Sequence, residues 1–187
     1  MPFYEFIMIQ KLNSKSILLF GCMYLVSLAP HAALAQAPLS MGQSAAPAWS
    51  LPVWTAQGAT SARLSLADLK GQWVYLDFWA SWCGPCKQSF PWMGRLQKEA
   101  HATPLQVVAI GLDKQAAPMQ QFLKQTNPEF QVLWDPSGDT ARQMGVQAMP
   151  SSYLINPQGQ VVWRHQGFQP ATADALRAKI KALMSAP

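Results

Sequence analysis

The feature that most constrains this 187-residue chain is a pair of cysteines separated by two residues, Cys83-Gly84-Pro85-Cys86. An apolar run directly before the pair, over 73–78, predicts a central strand that is buried on both faces. After the pair, apolar residues recur at the spacing of a helix, at Phe90, Met93, Leu96 and Ala100. The sequence therefore places the two cysteines at a strand-to-helix junction.

This junction determines what the cysteines can do. At the start of a helix, Cys83 meets unpaired backbone N–H groups and the positive end of the helix dipole, both of which lower a thiol pKa. Cys83 is thus predicted to be a thiolate near neutral pH that attacks disulfides, and Cys86, one turn deeper, to resolve the mixed disulfide. The other interpretations are a structural disulfide or half a zinc site. Zinc needs four ligands, and the chain has no second Cys or His pair to supply them, so no metal and no other cofactor are predicted.

The first 35 residues have the pattern of an export signal. Lys11 and Lys15 precede an apolar stretch over 16–29, which is too short for an ordinary membrane span. Ala33-Leu34-Ala35 offers the small residues that signal peptidase reads, so cleavage is predicted after Ala35. Two alternatives stay open, an uncleaved anchor and lipidation at Cys22, and only these would tie the protein to a membrane.

Removal of this signal leaves about 150 residues, enough for one domain with its own core. Residues 36–48 are rich in Ala, Pro, Ser and Gly and predict a flexible leader, so the folded domain is expected over 49–187. The whole chain has a formal net charge of +5, but its basic residues are scattered, which argues against nucleic-acid binding. Exported proteins that depend on disulfides for stability usually carry more cysteines than this one pair.

The remaining pattern alternates strands with helices. A capping box at Ser65 opens a short helical turn. Buried strands are predicted over 105–112 and 130–134, a hairpin over 152–165, and helices over 117–125, 139–145 and 171–184, with Asp139 as a helix cap. Pro91 is expected to kink the helix that follows the cysteines. This order predicts an α/β sandwich with a mixed central sheet.

Several motifs resemble a known family. Asp77 to Lys87, Asp-Phe-Trp-Ala-Ser-Trp-Cys-Gly-Pro-Cys-Lys, resembles the active-site segment of thioredoxins. The segment over 66–74, the insert over 111–135, Met149-Pro150 and the Asn-Pro-Gln-Gly turn over 156–159 resemble the TlpA/ResA-like branch of exported thiol–disulfide oxidoreductases. The resemblance covers about residues 47–184 and implies a thioredoxin-like three-layer sandwich.

The resemblance also implies roles for individual residues. Cys83 matches the nucleophile and Cys86 the resolving thiol. Pro150 matches the cis-proline that lies against the disulfide, and the backbone at Met149 is expected to pair with an extended substrate. The dipeptide Gly84-Pro85 matches reducing thioredoxins and is expected to tune the redox potential.

Asp77 matches the buried acid of thioredoxins. Burial beside Phe78 and Trp79 is expected to raise its pKa, so that it can accept the proton of Cys86. Many TlpA/ResA-like proteins carry Asn at this place and a Glu shortly after the second cysteine, where this chain has Ser89. This departure favours a more general dithiol enzyme over a strict role in cytochrome maturation.

Three further side chains can be interpreted either as structural residues or as functional ones. Trp82 is either a lip around the cysteines or a contact for substrate, and Lys87 is interpreted as a solvated helix residue. His165 is interpreted as a surface residue of a strand.

The sequence favours a periplasmic thiol–disulfide oxidoreductase acting as a reductant. Its expected partners are disulfide-containing exported proteins, with apocytochromes c as one candidate, and a thiol electron donor in the membrane. The first alternative is a disulfide oxidase or isomerase. A copper-binding chaperone that uses the two thiolates with His165 is less favoured, because the Gly-Pro spacer and Asp77 serve disulfide exchange and not copper. A peroxidase is disfavoured because the chain has no threonine-to-cysteine peroxidatic motif.

Overall fold

A computed structural model describes residues 44–99 and 104–185, and eight strands in these ranges form a single sheet. The strands are β1 (Ser44–Ala45), β2 (Ser50–Thr55), β3 (Gly58–Ser65), β4 (Trp73–Trp79), β5 (Leu105–Gly111), β6 (Gln131–Trp134), β7 (Ser151–Ile155) and β8 (Gln160–Gln166). The helices are α1 (Gly84–Glu99), α2 (Ala116–Thr126), α3 (Asp139–Gln143) and α4 (Ala173–Met184). Short 3-10 turns occupy Leu66–Leu69 and Pro170–Thr172.

The sheet is mixed, with strand order β1-β8-β7-β4-β5-β6-β2-β3. β4 runs parallel to β5, and β5 runs parallel to β6, whereas the other neighbouring pairs are antiparallel. The two parallel steps are bridged by α1 and α2, as parallel connections require. β4 is a central strand, and its last six residues are all buried. The end of β4 therefore delivers the chain from the middle of the sheet to the cysteines.

Helices cover both faces of this sheet. One core cluster joins α1, α2 and α4 to one face through buried side chains that include Met93, Leu123 and Ile180. The second cluster joins α3 and the turn at Leu66–Leu69 to the opposite face. Side chains of β4 alternate between the two clusters, with Tyr75 and Trp79 in the first and Val74, Leu76 and Phe78 in the second. The predicted three-layer sandwich with a mixed sheet is thereby confirmed.

Two details of the prediction are corrected. Asp139 was expected to cap α3, but it is the first helical residue, and Gly138 is the N-cap with φ of 71°. The capping is done by the Asp135 carboxylate, which accepts hydrogen bonds from the amides of Gly138 and Thr140 at 2.9 Å each. In addition, β2 and β3 form a hairpin that the predicted order of elements did not include.

Within the flexible leader predicted over 36–48, residues 44–46 are instead paired with the sheet. Ala45 pairs with Gln160 of β8, and the amide of Ala46 donates to the Gly159 carbonyl at 2.9 Å. These residues are held because β8 would otherwise leave a row of unpaired backbone groups at the sheet edge. The predicted signal peptide over 1–35 and the rest of the leader lie outside the described residues. Within 44–99 and 104–185, no helix is both long and apolar enough to cross a bilayer.

Candidate active site

The two cysteines form a disulfide at the N-terminus of α1. The bond joins Cys83 and Cys86 with an S–S distance of 2.00 Å and a Cα–Cα distance of 5.3 Å. Cys83 retains 6% of its surface in contact with solvent, whereas Cys86 is fully buried. Of the two sulfurs, that of Cys83 is thus the one an incoming protein can reach.

Cys83 occupies the N-cap position of α1. The amide of Lys87 donates to the Cys83 carbonyl at 3.2 Å, which is the first hydrogen bond of the helix. The amide of Cys86 points at the Cys83 sulfur, with a distance of 3.3 Å. The sulfur therefore lies where a serine or aspartate oxygen would cap the helix. A negative charge on this sulfur is stabilised by the amide and by the helix dipole.

Trp82 directly precedes Cys83, and the loop before β7 lies at the end of β4 that leads to the disulfide, because Ser151 pairs with Phe78. Trp82 is 69% exposed, an uncommon state for so large an apolar side chain. The peptide bond between Met149 and Pro150 is cis. Met149 is half-buried and packs against the core cluster that contains both cysteines. The residues predicted to surround the disulfide are thus present at this end of the sheet.

Asp77 lies beneath the site, on the face of the sheet that α1 covers. Its side chain is 1% exposed, and the Ser152 hydroxyl donates to its Oδ1 at 2.7 Å. Within the described residues, its Oδ2 has no hydrogen-bond partner. Burial raises the pKa of Asp77 to about 7, although the hydrogen bond from Ser152 acts in the opposite direction. At neutral pH this carboxyl can both take up and release a proton.

The neighbours that desolvate Asp77 differ in part from those expected. Phe78 points to the opposite face of β4 and belongs to the other core cluster. Tyr75 and Trp79, two residues before and after Asp77, share its face. The pKa of Tyr75 is raised well above 10 by its own burial and by the nearby Asp77 carboxylate, so its phenol stays protonated.

A second buried acid holds the loop in front of the cysteines, and sequence reasoning missed it. Asp113 is 3% exposed and accepts hydrogen bonds from the Ser81 amide at 2.9 Å and the Ser81 hydroxyl at 2.5 Å. Trp134 donates its indole N–H to the Asp113 carbonyl at 2.8 Å. These bonds connect the ends of three adjacent strands, so the loop that carries Trp82 is fixed from outside its own segment.

The remaining predicted residues are placed as follows. Ser89, at the position where relatives often carry an acid, is buried and donates to the Cys86 carbonyl at 2.9 Å. Lys87 is exposed and lines a groove of about 350 Å³ with Trp82 and residues of α2. His165 lies on β8, where it is half-buried and stacks on Trp163.

Known proteins are similar to this chain in sequence and in fold. The protein is 32% identical over 111 residues to the thiol-disulfide oxidoreductase ResA of Bacillus subtilis, a match that covers 59% of this chain and 62% of ResA. The chain thus spans less than two thirds of the length of this curated relative. A crystal structure of a candidate thiol:disulfide interchange protein DsbE from Chlorobium tepidum is 44% identical, with a TM-score of 0.70, covering 76% of this chain and 97% of the other.

A further similar structure is the exposed lipoprotein thioredoxin Etrx1 of Streptococcus pneumoniae, at 29% identity and a TM-score of 0.60. It covers 72% of this chain and 99% of Etrx1. The signature of the Redoxin family matches residues 42–180, which is most of the chain and includes every residue of the site. This protein belongs to the Redoxin family.

Proposed function

We propose that this protein is a periplasmic thiol–disulfide oxidoreductase that reduces disulfides in exported proteins, with apocytochromes c as one class of client. The observation that carries the proposal is the position of the Cys83 sulfur at the N-cap of α1. There it accepts a hydrogen bond from the Cys86 amide at 3.3 Å, and Cys83 is the more exposed of the two cysteines. Similarity to the thiol-disulfide oxidoreductase ResA and to a thiol:disulfide interchange protein DsbE supports thiol–disulfide exchange. The Gly84-Pro85 dipeptide, which matches reducing thioredoxins, supports the reducing direction.

The reaction takes two exchanges. In the first, the Cys83 thiolate attacks a sulfur of the client disulfide, so that the client S–S bond breaks and a mixed disulfide forms. In the second, the Cys86 thiolate attacks the Cys83 sulfur and releases the second client thiolate. Two electrons pass to the client, and the enzyme is left with the Cys83–Cys86 disulfide. A thiol donor must return two electrons, and we propose that this donor lies in the membrane.

Asp77 serves the second exchange in this scheme. Cys86 is fully buried and must lose a proton before it can attack. Asp77 lies on the same face of the sheet, has a free Oδ2 within the described residues, and has a pKa of about 7. A carboxyl with these properties is suited to accept the Cys86 proton as a general base.

The surroundings of the disulfide suit an extended client segment. We propose that the segment lies along the Met149–Pro150 loop, with Trp82 as an apolar contact beside it. Gly84 and Pro85 then adjust the potential, because they shape the turn that aims the Cys86 amide at the Cys83 sulfur. An exported location is supported by the N-terminal signal pattern and by the exposed-lipoprotein relative.

The test combines trapping with a redox titration. With a disulfide-bonded peptide, Cys86→Ser is expected to accumulate a mixed disulfide detectable by mass spectrometry, whereas Cys83→Ser is expected to form none. The native pair is then equilibrated with thiol/disulfide buffers. A potential below about −230 mV supports a reductant, and a value above about −160 mV would make the protein an oxidase or isomerase instead. Absence of any trapped species would contradict the exchange mechanism itself.

A further inference from the structure

A row of three side chains across the sheet runs from the buried Asp77 toward solvent. Asp77 of β4 pairs directly with Ser152 of β7, and Ser152 pairs directly with His165 of β8. Directly paired residues of antiparallel strands share one face, with Cβ atoms roughly 4.5–5.5 Å apart. On its other side, Asp77 pairs with Ala109 of β5, which has no polar side-chain atom. Across the strands the row of polar side chains therefore continues from Asp77 toward His165, while the Ser152 hydroxyl also lies beside the Tyr75 phenol.

Solvent contact changes along this row. Asp77 is 1% exposed and Ser152 is 2% exposed, whereas His165 is partly exposed. A hydroxyl can donate and accept at once, and that of Ser152 already donates to the Asp77 carboxyl at 2.7 Å. By strand register, the row thus places the Ser152 hydroxyl between a carboxyl without direct solvent contact and an imidazole that has it.

The other elements packed against Asp77 offer few ionisable groups. Tyr75 on its own strand keeps its proton, because its pKa is well above 10. α1 contributes the two cysteines, and the buried residues of α4 in this cluster, Leu176 and Ile180, are apolar. Burial lowers the pKa of His165 below its usual 6.5, so its imidazole is neutral at pH 7 and able to accept a proton.

We propose that Ser152 positions the Asp77 carboxyl and, together with His165, returns its proton to solvent after each resolving step. The inference rests on the proposed role of Asp77 as the base for Cys86. Once Asp77 holds the Cys86 proton, its O–H donates to Ser152, the Ser152 hydroxyl proton moves to the His165 imidazole, and His165 releases a proton to water. All three groups regain their starting charge, and no electrons move in this step.

The positioning role is tested by Ser152→Ala, with Ser152→Thr to restore a hydroxyl. The Asp77 carboxyl is titrated by carbon-13 NMR in each folded variant. Because a hydrogen bond favours the charged carboxylate, we expect its loss to raise the Asp77 pKa by about 1–2 units, and threonine to bring it back toward the native value. Ser151→Ala is the matched control, since that hydroxyl lies on the same strand and bonds the Ala148 carbonyl at 2.7 Å. An Asp77 pKa unchanged by Ser152→Ala would overturn the positioning role.

The proton route is tested by His165→Gln. The rate of client reduction over successive turnovers is measured in weak buffer at pH 7, with excess dithiol as electron donor, so that the proton must leave Asp77 in each cycle. We expect His165→Gln to slow turnover roughly tenfold, with recovery on addition of free imidazole. A native rate in this variant would overturn the route. Asp77→Asn distinguishes the proposed base from the proposed proton route. A native rate in Asp77→Asn contradicts the base. A slowed rate in Asp77→Asn together with a native rate in His165→Gln contradicts only the route.

Discussion

At the scale of single residues, the Asp77 carboxyl makes the stability of the fold depend on pH. Its pKa is about 7 in the folded protein, against an ordinary value of 3.8. Between these values the folded protein binds a proton that the unfolded chain does not, so the free energy of unfolding falls as the pH rises. The contribution of Asp77 to the unfolding free energy is complete below pH 3.8 and is lost as the pH rises past 7. The total loss is about 4 kcal/mol.

Replacement of Asp77 by Asn is expected to remove this dependence. The amide cannot ionise. The unfolding free energy of Asp77→Asn, relative to that of the native protein, should therefore rise by about 4 kcal/mol between pH 4 and pH 8, in addition to any pH-independent effect of the substitution. Urea unfolding of the oxidised proteins at several pH values measures this difference. Asp174→Asn is the control, because that carboxylate is 91% exposed and its loss should leave the pH profile unchanged. Parallel profiles for native protein and Asp77→Asn would contradict the raised pKa.

The sequence predicted some residues of the site and could not predict others. Cys83 and Cys86 were predicted because they stand at a strand-to-helix junction that their own neighbours indicate, and Asp77 was predicted because it matches the buried acid of thioredoxins. The bond from Ser152 to Asp77 joins residues 75 positions apart, and the Ser81–Asp113 bonds span 32 positions. Such contacts depend on strand order and register, which no local pattern encodes. The two serines that begin β7, Ser151 and Ser152, were the one local sign of a buried polar partner.

At the scale of secondary-structure elements, the ends of β4 and β5 are tied to each other through Asp113. Parallel strands β4 and β5 were predicted from continuous apolar runs, because a strand buried on both faces shows no alternation. In contrast, β1 was not predicted, because a two-residue edge strand forms only where a partner strand offers free backbone groups. The Ser81–Asp113 contact also depends on the pairing of distant strands, because it forms only once β4 and β5 are in register.

Removal of this contact is expected to loosen the loop that carries Trp82. Asp113→Ala leaves the Ser81 amide and hydroxyl without their buried acceptor, at a cost of about 1–3 kcal/mol in unfolding free energy. Amide hydrogen exchange at Ser81 should accelerate in the same variant. A double-mutant cycle with Ser81→Ala isolates the pair, and Lys114→Ala, next in the chain but exposed, serves as the control. Additive costs of the two substitutions would show that the contact does not hold the loop.

At the scale of the whole molecule, redox state and folding stability are coupled. Oxidation and unfolding form a closed cycle, so the potential of the Cys83–Cys86 pair lies below that of the unfolded pair by the excess stability of the oxidised over the reduced protein, divided by 2F. A disulfide that closes so short a loop stabilises a fold by roughly 2 kcal/mol through chain entropy. Strong stabilisation of the Cys83 thiolate in the reduced protein opposes this term. The relative size of the two effects decides whether the protein reduces or oxidises its clients.

For a reductant, the oxidised protein must be the more stable form. We expect its unfolding free energy to exceed that of the reduced protein by on the order of 2 kcal/mol, measured by urea unfolding at pH 7 with and without a thiol reductant. The pair Cys83→Ser and Cys86→Ser supplies the control, because neither variant can form the bond and neither should respond to reductant. A reduced protein more stable than the oxidised one would mark an oxidising enzyme, since the strongly oxidising members of this chemistry owe their potential to a stabilised reduced form. The sign of this one difference therefore fixes the direction of electron flow that the thiol chemistry alone leaves open.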